Sequence, residues 1–177
     1  IYKDSLKDIT HIYCKSQREK ENYLTLEIKS EKLTVMGNMK LCENFNSTSN
    51  PRLIERKYVL AASTHKDEER QIITEWLKVN DKRILLVIVP RHPERLGDIL
   101  SDIPLDIVKV CIRSKNEKVR NNTQIYIADT FGELESFIEH SEFIFFGGSL
   151  VDHGGQNFLE AAAYGKSIIV GPYMYNF

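Results

Sequence analysis

The sequence predicts an α/β fold built on a doubly wound parallel sheet, and three observations lead to this prediction. Apolar runs of strand length alternate along the chain with segments of helical period. Runs such as ILLVIV at 84–89 and FIFF at 143–146 are apolar at consecutive positions, as in parallel strands buried on both faces. The helical segments that lie between most of the strands supply the crossovers that a parallel sheet requires.

Taken in order along the chain, the elements follow from these two patterns. The apolar runs predict strands at Ile9–Tyr13, Leu33–Met36, Tyr58–Ala62, Ile84–Val89, Ile107–Ile112, Ile125–Ile127, Phe143–Phe146 and Ile168–Val170. The segments of helical period predict helices at Gln17–Leu26, Asp67–Val79, Pro93–Leu100, Gly132–His140 and Gln156–Tyr164.

Composition excludes several classes of protein. The 177 residues carry 24 Lys and Arg against 25 Asp and Glu, so no overall field attracts nucleic acid or an anionic membrane. Cys14, Cys42 and Cys111 are widely spaced and odd in number, which favours reduced thiols over a disulfide framework or a zinc site. No apolar stretch approaches the roughly 20 residues needed to cross a bilayer.

One polar stretch interrupts the alternation of strands and helices. The segment LCENFNSTSNPR, Leu41–Arg52, is typical of a linker, and it predicts a domain boundary between residues 1–50 and residues 51–177. The last predicted strand is followed by Gly171, Pro172 and an aromatic tail rather than by a helix. We therefore expect the chain to be a piece of a longer protein.

Polar residues follow four of the predicted strands at their carboxyl ends. Ser63–His65 follow YVLAA, Pro90–His92 follow ILLVIV, Asp129–Glu133 follow IYIA, and Gly147–Ser149 follow FIFF. In a parallel sheet these loops meet at one edge, where ligands of α/β proteins bind. Ser63 and Thr64 also fit simple helix capping, as do Asp67 and Glu68 in the first turn of the next helix.

The segment GGSLVDHGGQNFLE, residues 147–160, suggests a phosphate and sugar site. Gly154 and Gly155 precede a predicted helix, and we expect their uncovered N–H groups to favour a phosphate. Asn157 and Glu160 are three residues apart on the first helical turn, where a carboxylate suits sugar hydroxyls. A tight turn capped by Asn157 remains the alternative, and His153 could cap, bind phosphate or be exposed.

Five segments together carry a family resemblance. The segments GNMK (37–40), AASTHKDEE, VPRHPER, DTFGEL and GGSLVDHGGQNFLEAAAYGKSIIVGPYMYNF occur in an order similar to that of 3-deoxy-D-manno-octulosonic acid (Kdo) transferases. The resemblance implies the GT-B architecture of two Rossmann-like domains. It also implies inverting transfer of Kdo from CMP-Kdo to a lipid A precursor, lipid IVA, in lipopolysaccharide synthesis, without a metal or another cofactor.

The resemblance also implies the residues that bind the donor. The family's CMP contacts fall on Pro90, Arg91, Phe131, Gly132, Glu133, Asn157, Phe158, Leu159 and Glu160, with Ser63, Gly148, Ser149, His153, Gly154 and Gly155 as further donor-site residues. Arg91 is expected to pair with an anionic group of the donor, and Glu160 to accept hydrogen bonds from ribose hydroxyls. Amides around Gly132 and the helix start at Gly154 are expected to hold nucleotide and phosphate.

The resemblance assigns residues 1–50 to the end of an acceptor domain with its linker, and residues 51–177 to the donor domain. The general base and the membrane anchor are expected in the N-terminal part of the family, so no catalytic residue is assigned here and the chain alone is expected to be inactive. The resemblance implies action at the cytoplasmic face of the inner membrane. A UDP-sugar-dependent GT-B transferase or epimerase, or a non-catalytic nucleotide-binding remnant, remains an alternative.

Overall fold

The chain forms two compact units, Ile1–Asn46 and Ser47–Phe177, in a computed structural model. The structure describes residue 6 and residues 8–37, 49–79, 81 and 83–177. Most of the predicted linker Leu41–Arg52 lies outside the described residues, as do Cys42 and residues 38–40 of the GNMK segment.

The first unit is a pair of parallel strands connected through a helix. Its elements are β1 (Ile12–Cys14), α1 (Gln17–Thr25), a 3-10 turn (Ser30–Lys32) and β2 (Leu33–Val35). The helix begins where the Ser16 hydroxyl accepts the N–H of Glu19 at 3.2 Å and the Glu19 carboxylate accepts the N–H of Lys15 at 2.6 Å. Such reciprocal bonds stabilise a helix start. Cys14 is a buried free thiol, as is Cys111 in the second unit, which confirms the prediction for these two cysteines.

The second unit is a six-stranded parallel sheet with helical crossovers. Its elements are β3 (Tyr58–Thr64), α2 (Glu68–Val79), β4 (Leu85–Pro90), a 3-10 turn (Pro93–Arg95), α3 (Leu96–Ser101), β5 (Val110–Ile112), β6 (Ile125–Ile127), α4 (Leu134–His140), β7 (Phe143–Phe146), α5 (Leu159–Ala163) and β8 (Ser167–Ile169). The strand order is β5-β6-β4-β3-β7-β8, and every neighbouring pair is parallel. The predicted fold class is confirmed.

Both faces of this sheet are buried, which explains why its strands are apolar at consecutive positions. Tyr58, Leu60 and Ala62 of β3 belong to one core cluster, while Val59 and Ala61 belong to another on the opposite face. Residues of α4 and α5 complete the first cluster, and residues of α2 and α3 complete the second. The sheet is therefore doubly wound, with helices packed on each face.

Several predicted boundaries differ from the structure, among them the start of β1, which is Ile12 rather than Ile9, and two of them differ for clear local reasons. Helix α5 begins at Leu159 rather than Gln156, because Gly154 and Gly155 have left-handed φ of 81° and 83° and residues 156–158 have no regular secondary structure. Strand β5 begins at Val110 rather than Ile107. The N–H of Ile107 donates to the Pro104 carbonyl at 3.1 Å, which places Ile107 in a turn before the strand.

The chain changes direction across the sheet between β3 and β7. From β3 the chain first builds β4, β5 and β6 on one side and then places β7 and β8 on the other. Ligands of open α/β sheets bind at such a switch point. The region between the loops that follow β3, β4 and β7 is called the crevice below. The two strands approach closely there, since a Cβ at Gly147 would lie 2.3 Å from the Ser63 carbonyl oxygen. Ser63 itself has φ of 53°, within the register shift at the end of β3.

Candidate functional site

The loops after β3, β4, β6 and β7 all leave the same edge of the sheet, as predicted from the sequence. The loops after β3 and β7 flank the switch point, and the β4 loop joins them through the Arg91 N–H, which donates to the Thr64 carbonyl at 2.9 Å. The predicted residues Pro90 and Arg91 end β4 and begin its loop, and Ser63 lies in the end of β3.

Glu68 fastens the β3 loop to the β7 loop. Its fully buried carboxylate accepts the N–H groups of Gly148, Ser149 and Leu150 at 2.7, 3.0 and 2.9 Å. It also accepts the N–H of His65 at 2.8 Å, three residues back, which is the capping contact that its position at the helix start suggested. One carboxylate therefore satisfies four backbone donors on two loops.

Ser149 and Gly148 lie at the switch point with their polar groups turned into the protein. The Ser149 hydroxyl donates to the Phe146 carbonyl at 2.5 Å and accepts the Gly171 N–H at 2.9 Å. Because its N–H is also bound by Glu68, Ser149 uses both of its donors to hold the loop. The described polar groups of these two predicted donor-site residues bind other groups of the protein and so fix the shape of the loop.

A second buried carboxylate, Glu69, ties the β4 loop to the same helix start. Glu69 is 1% exposed and accepts two bonds from the Arg95 guanidinium, at 3.1 and 3.2 Å. The Thr64 hydroxyl donates to it at 3.0 Å. Thr64 therefore does not cap helix α2, which was one of the two interpretations of its position. Adjacent glutamates of α2 thus hold two different rim loops.

Three histidines meet at the crevice. The His65 ring stacks on that of His153 with centroids 4.4 Å apart, and His92 lies edge-on to it at 6.0 Å. The Gln156 amide nitrogen lies 2.8 Å from His65 Nε2. Burial and the neighbouring His153 lower the pKa of His65, although the Glu68 carboxylate opposes this shift. His65 therefore favours the neutral form, which can accept a hydrogen bond at one ring nitrogen.

The N–H group of Gly155 is not uncovered, contrary to the prediction for this residue. The Gly155 N–H donates to the Gly148 carbonyl at 2.7 Å, and the Asn176 N–H donates to the Gly154 carbonyl at 3.1 Å. A Cβ on Gly155 would lie 2.4 Å from Met174 Sδ, so the chain after β8 packs directly on this turn. Helix α5 begins at Leu159, four residues after Gly155, so the predicted helix start at Gly154 is absent.

Arg91 offers a free positive charge at the edge of the crevice. It is exposed, and within the described ranges its guanidinium makes no hydrogen bond or ion pair. An unpaired guanidinium matches a carboxylate or phosphate through two parallel hydrogen bonds.

The β6 loop presents an aromatic ring beside an internal ion pair. Phe131 is 80% exposed, and Gly132 has φ of 82°. The Glu133 carboxylate accepts bonds from the Arg113 guanidinium at 2.6 and 2.9 Å and from the Thr130 hydroxyl at 2.5 Å. The Arg113 bonds hold the pKa of Glu133 below its usual range. Glu133 therefore braces this loop against the end of β5.

The remaining predicted donor-site residues surround the start of α5. Asn157 lies outside the helix, where its side-chain oxygen accepts the Leu159 N–H at 3.2 Å. Asn157 and Glu160 therefore do not share a helical turn, contrary to the prediction. The structure instead agrees with the alternative, a turn capped by the Asn157 side chain. Phe158 packs on Phe177 with ring centroids 5.6 Å apart. Glu160 is half-buried in the first turn of α5.

Sequence reasoning missed the roles of Glu68, Glu69 and Arg113. The position of Glu68 in the first turn of a predicted helix indicated only a capping role. Arg113 follows β5 directly, as Arg91 follows β4, so its position after a strand was an available signal.

The structure also bears on metal binding and membrane spans. In the part of the chain that the structure describes, no three His, Cys, Asp or Glu side chains group closely enough to hold a metal ion. None of the described helices has the length and apolar character to cross a bilayer.

No family model matches the chain, but the chain is similar to several Kdo transferases. A Kdo transferase from Haemophilus influenzae is 35% identical over 167 residues, covering 89% of this chain and 39% of that protein. A probable mitochondrial Kdo transferase from Arabidopsis thaliana is 35% identical over 129 residues, covering 71% of this chain and 29% of that protein. The crystal structure of the C-terminal CMP-Kdo binding domain of WaaA from Acinetobacter baumannii superposes with a TM-score of 0.62 and 34% identity, covering 69% of this chain and 65% of that one.

The strand order and the loops at the carboxyl edge define a Rossmann-like domain of the GT-B glycosyltransferase type. The chain belongs to the Kdo transferase family, whose members are glycosyltransferases. It spans 39% of the length of the Haemophilus influenzae relative.

Proposed function

We propose that the second unit is the donor-binding part of a Kdo transferase, with CMP-Kdo held at the crevice between β3 and β7. The similarity of this unit to a solved CMP-Kdo binding domain carries the proposal. The free guanidinium of Arg91 supports it, because the donor carries a phosphate and a sugar carboxylate. The acceptor in this proposal is lipid IVA at the cytoplasmic face of the inner membrane, and the transfer requires no metal.

The proposed reaction places the chemical demand on the leaving group. The bond between the Kdo anomeric carbon and the phosphate oxygen breaks, and its electron pair remains on CMP. An acceptor hydroxyl oxygen forms the new glycosidic bond, and its proton passes to a base that this chain is not proposed to supply. Because negative charge grows on the departing phosphate, a cation such as Arg91 stabilises that stage more than the bound donor. Phe131 and Glu160 are proposed to contact the nucleotide base and ribose.

Calorimetric titration with CMP, with UMP as the comparison ligand, tests this proposal once circular dichroism shows a folded chain. We expect CMP to bind more tightly than UMP. Arg91→Met should weaken CMP binding by about 10–100-fold, the range for losing a charge-assisted hydrogen bond. Arg83→Met is the matched control, because Arg83 is 88% exposed and precedes β4 at the opposite edge of the sheet. Glu160→Gln should also weaken CMP binding.

The alternatives give different results in the same titration. Preference for UMP would contradict the proposal and favour a UDP-sugar-dependent enzyme. A folded chain that binds neither nucleotide would contradict a donor site in this unit.

A further inference from the structure

The β7 loop presents three consecutive backbone N–H groups to one point, and a side chain of the protein occupies that point. Gly148, Ser149 and Leu150 donate to the Glu68 carboxylate within 3.0 Å. Converging N–H groups of this kind form anion sites in many nucleotide-binding loops. Here the anion is internal and fully buried.

We propose that Glu68 is a positioning residue that holds the β7 loop in the shape required for donor binding. This inference rests on the proposed function. The inference also limits where the donor phosphate can bind, because the N–H groups of residues 148–150 already donate to the Glu68 carboxylate. The phosphate therefore binds on the solvent side of the crevice, toward the free guanidinium of Arg91, and not in the loop itself.

The carboxylate is suited to this role in a way that an amide is not. Oε2 of Glu68 accepts the N–H groups of His65 and Gly148, and Oε1 accepts those of Ser149 and Leu150. A carboxylate accepts at both oxygens, whereas glutamine has one oxygen and one NH₂ donor. In Glu68→Gln the side-chain NH₂ would therefore face two backbone N–H groups that also need an acceptor, while the side-chain volume would change very little.

The hydrogen bonds of Glu68 connect helix α2 to the β7 loop and are not confined to the start of its own helix. The three donors in the β7 loop lie 80 to 82 positions from Glu68 in sequence, whereas His65 lies only three positions before it. Gly147 starts the same loop in direct contact with the Ser63 backbone. With both points held, the loop needs no ligand to take its shape, so binding does not have to order it.

The test compares Glu68→Gln with Glu75→Gln, a matched change on the same helix at a residue 72% exposed. CMP affinity is measured by calorimetry, and amide hydrogen exchange is followed residue by residue by NMR. We expect Glu68→Gln to weaken CMP binding at least tenfold and to speed exchange at 148–150, with both unchanged in Glu75→Gln. In Glu68→Ala, added formate should restore slow exchange at 148–150, because it supplies a free carboxylate.

The outcomes separate this inference from the proposed function. Wild-type protein that binds no CMP overturns the proposed function. Wild-type binding that persists unchanged in Glu68→Gln overturns the positioning role alone. Should Glu68→Gln not fold, the wild-type exchange rates decide. Rates at 148–150 as slow as in β7 support the role, and rates typical of an exposed loop overturn it.

Discussion

Gly147→Ala is expected to disrupt the switch point through backbone contact alone. The added Cβ would lie 2.3 Å from the Ser63 carbonyl oxygen and 2.5 Å from the Thr64 Cα, whereas ordinary contacts begin near 3.4 Å. The two strand ends would have to separate by about 1 Å, the difference between 3.4 and 2.3 Å. Unlike a side chain, neither backbone can rotate away from the methyl group.

The energetic cost follows from this geometry. Overpacking a core usually costs about 1–3 kcal/mol, and a contact between two backbones in a central sheet belongs at the upper end, near 3 kcal/mol. With a urea m-value of about 2 kcal/mol/M, the unfolding midpoint should fall by about 1.5 M. Displacement of the β7 loop from Glu68 should weaken CMP binding as well.

Urea unfolding followed by circular dichroism measures this change against Gly97→Ala. Gly97 lies in helix α3 with nothing within 4 Å of an added Cβ, so alanine there should be neutral or stabilise by up to about 1 kcal/mol. Equal unfolding midpoints for the two variants would refute the reasoning. Such a result would mean that β3 and β7 do not approach closely at Gly147.

Two further predictions concern stability. Tyr58→Phe should destabilise the second unit by about 1–2 kcal/mol in urea unfolding, since the buried Tyr58 hydroxyl donates to the Phe137 carbonyl at 2.8 Å; an unchanged midpoint would contradict this bond. The lowered pKa of His65 means that the folded state disfavours its charged form, so stability should be full above pH about 6.5 and fall as the pH drops below it. His65→Gln should reduce that fall between pH 7.5 and 5.5, and an identical pH profile would contradict the assignment.

The doubly wound parallel sheet could be predicted from the sequence, because burial on both faces makes consecutive strand residues apolar. All six residues of β4 are buried, and their unbroken apolar run reports this directly. Sequence position also indicated which loops meet at one edge of the sheet, since Arg91 and Gly147 each follow a strand. These predictions depended on residues that lie next to each other in the chain.

The hydrogen bonds that hold the loops of the crevice together cannot be recognised from a short stretch of sequence. Glu68 is a charged residue at a helix start, which in sequence is typical of solvent exposure. Three of the four N–H groups that donate to its carboxylate are about 80 positions away. The prediction of free N–H groups at Gly155 was wrong for a related reason. Glycine allowed the turn, but the carbonyl of Gly148 that binds its N–H could be identified only from the folded chain.

The placement of β3 at the centre of the sheet affects how the protein folds during its synthesis. Glu68 and its partner Gly148 are 80 positions apart, so at roughly 5–20 residues per second the ribosome adds the partner about 4–16 s later. Until then one side of β3 lacks its neighbour, and an unpaired strand edge can bind other chains. The nascent protein therefore passes through an interval in which aggregation competes with completion of the sheet, and mutations that slow translation of residues 69–148 would lengthen this interval.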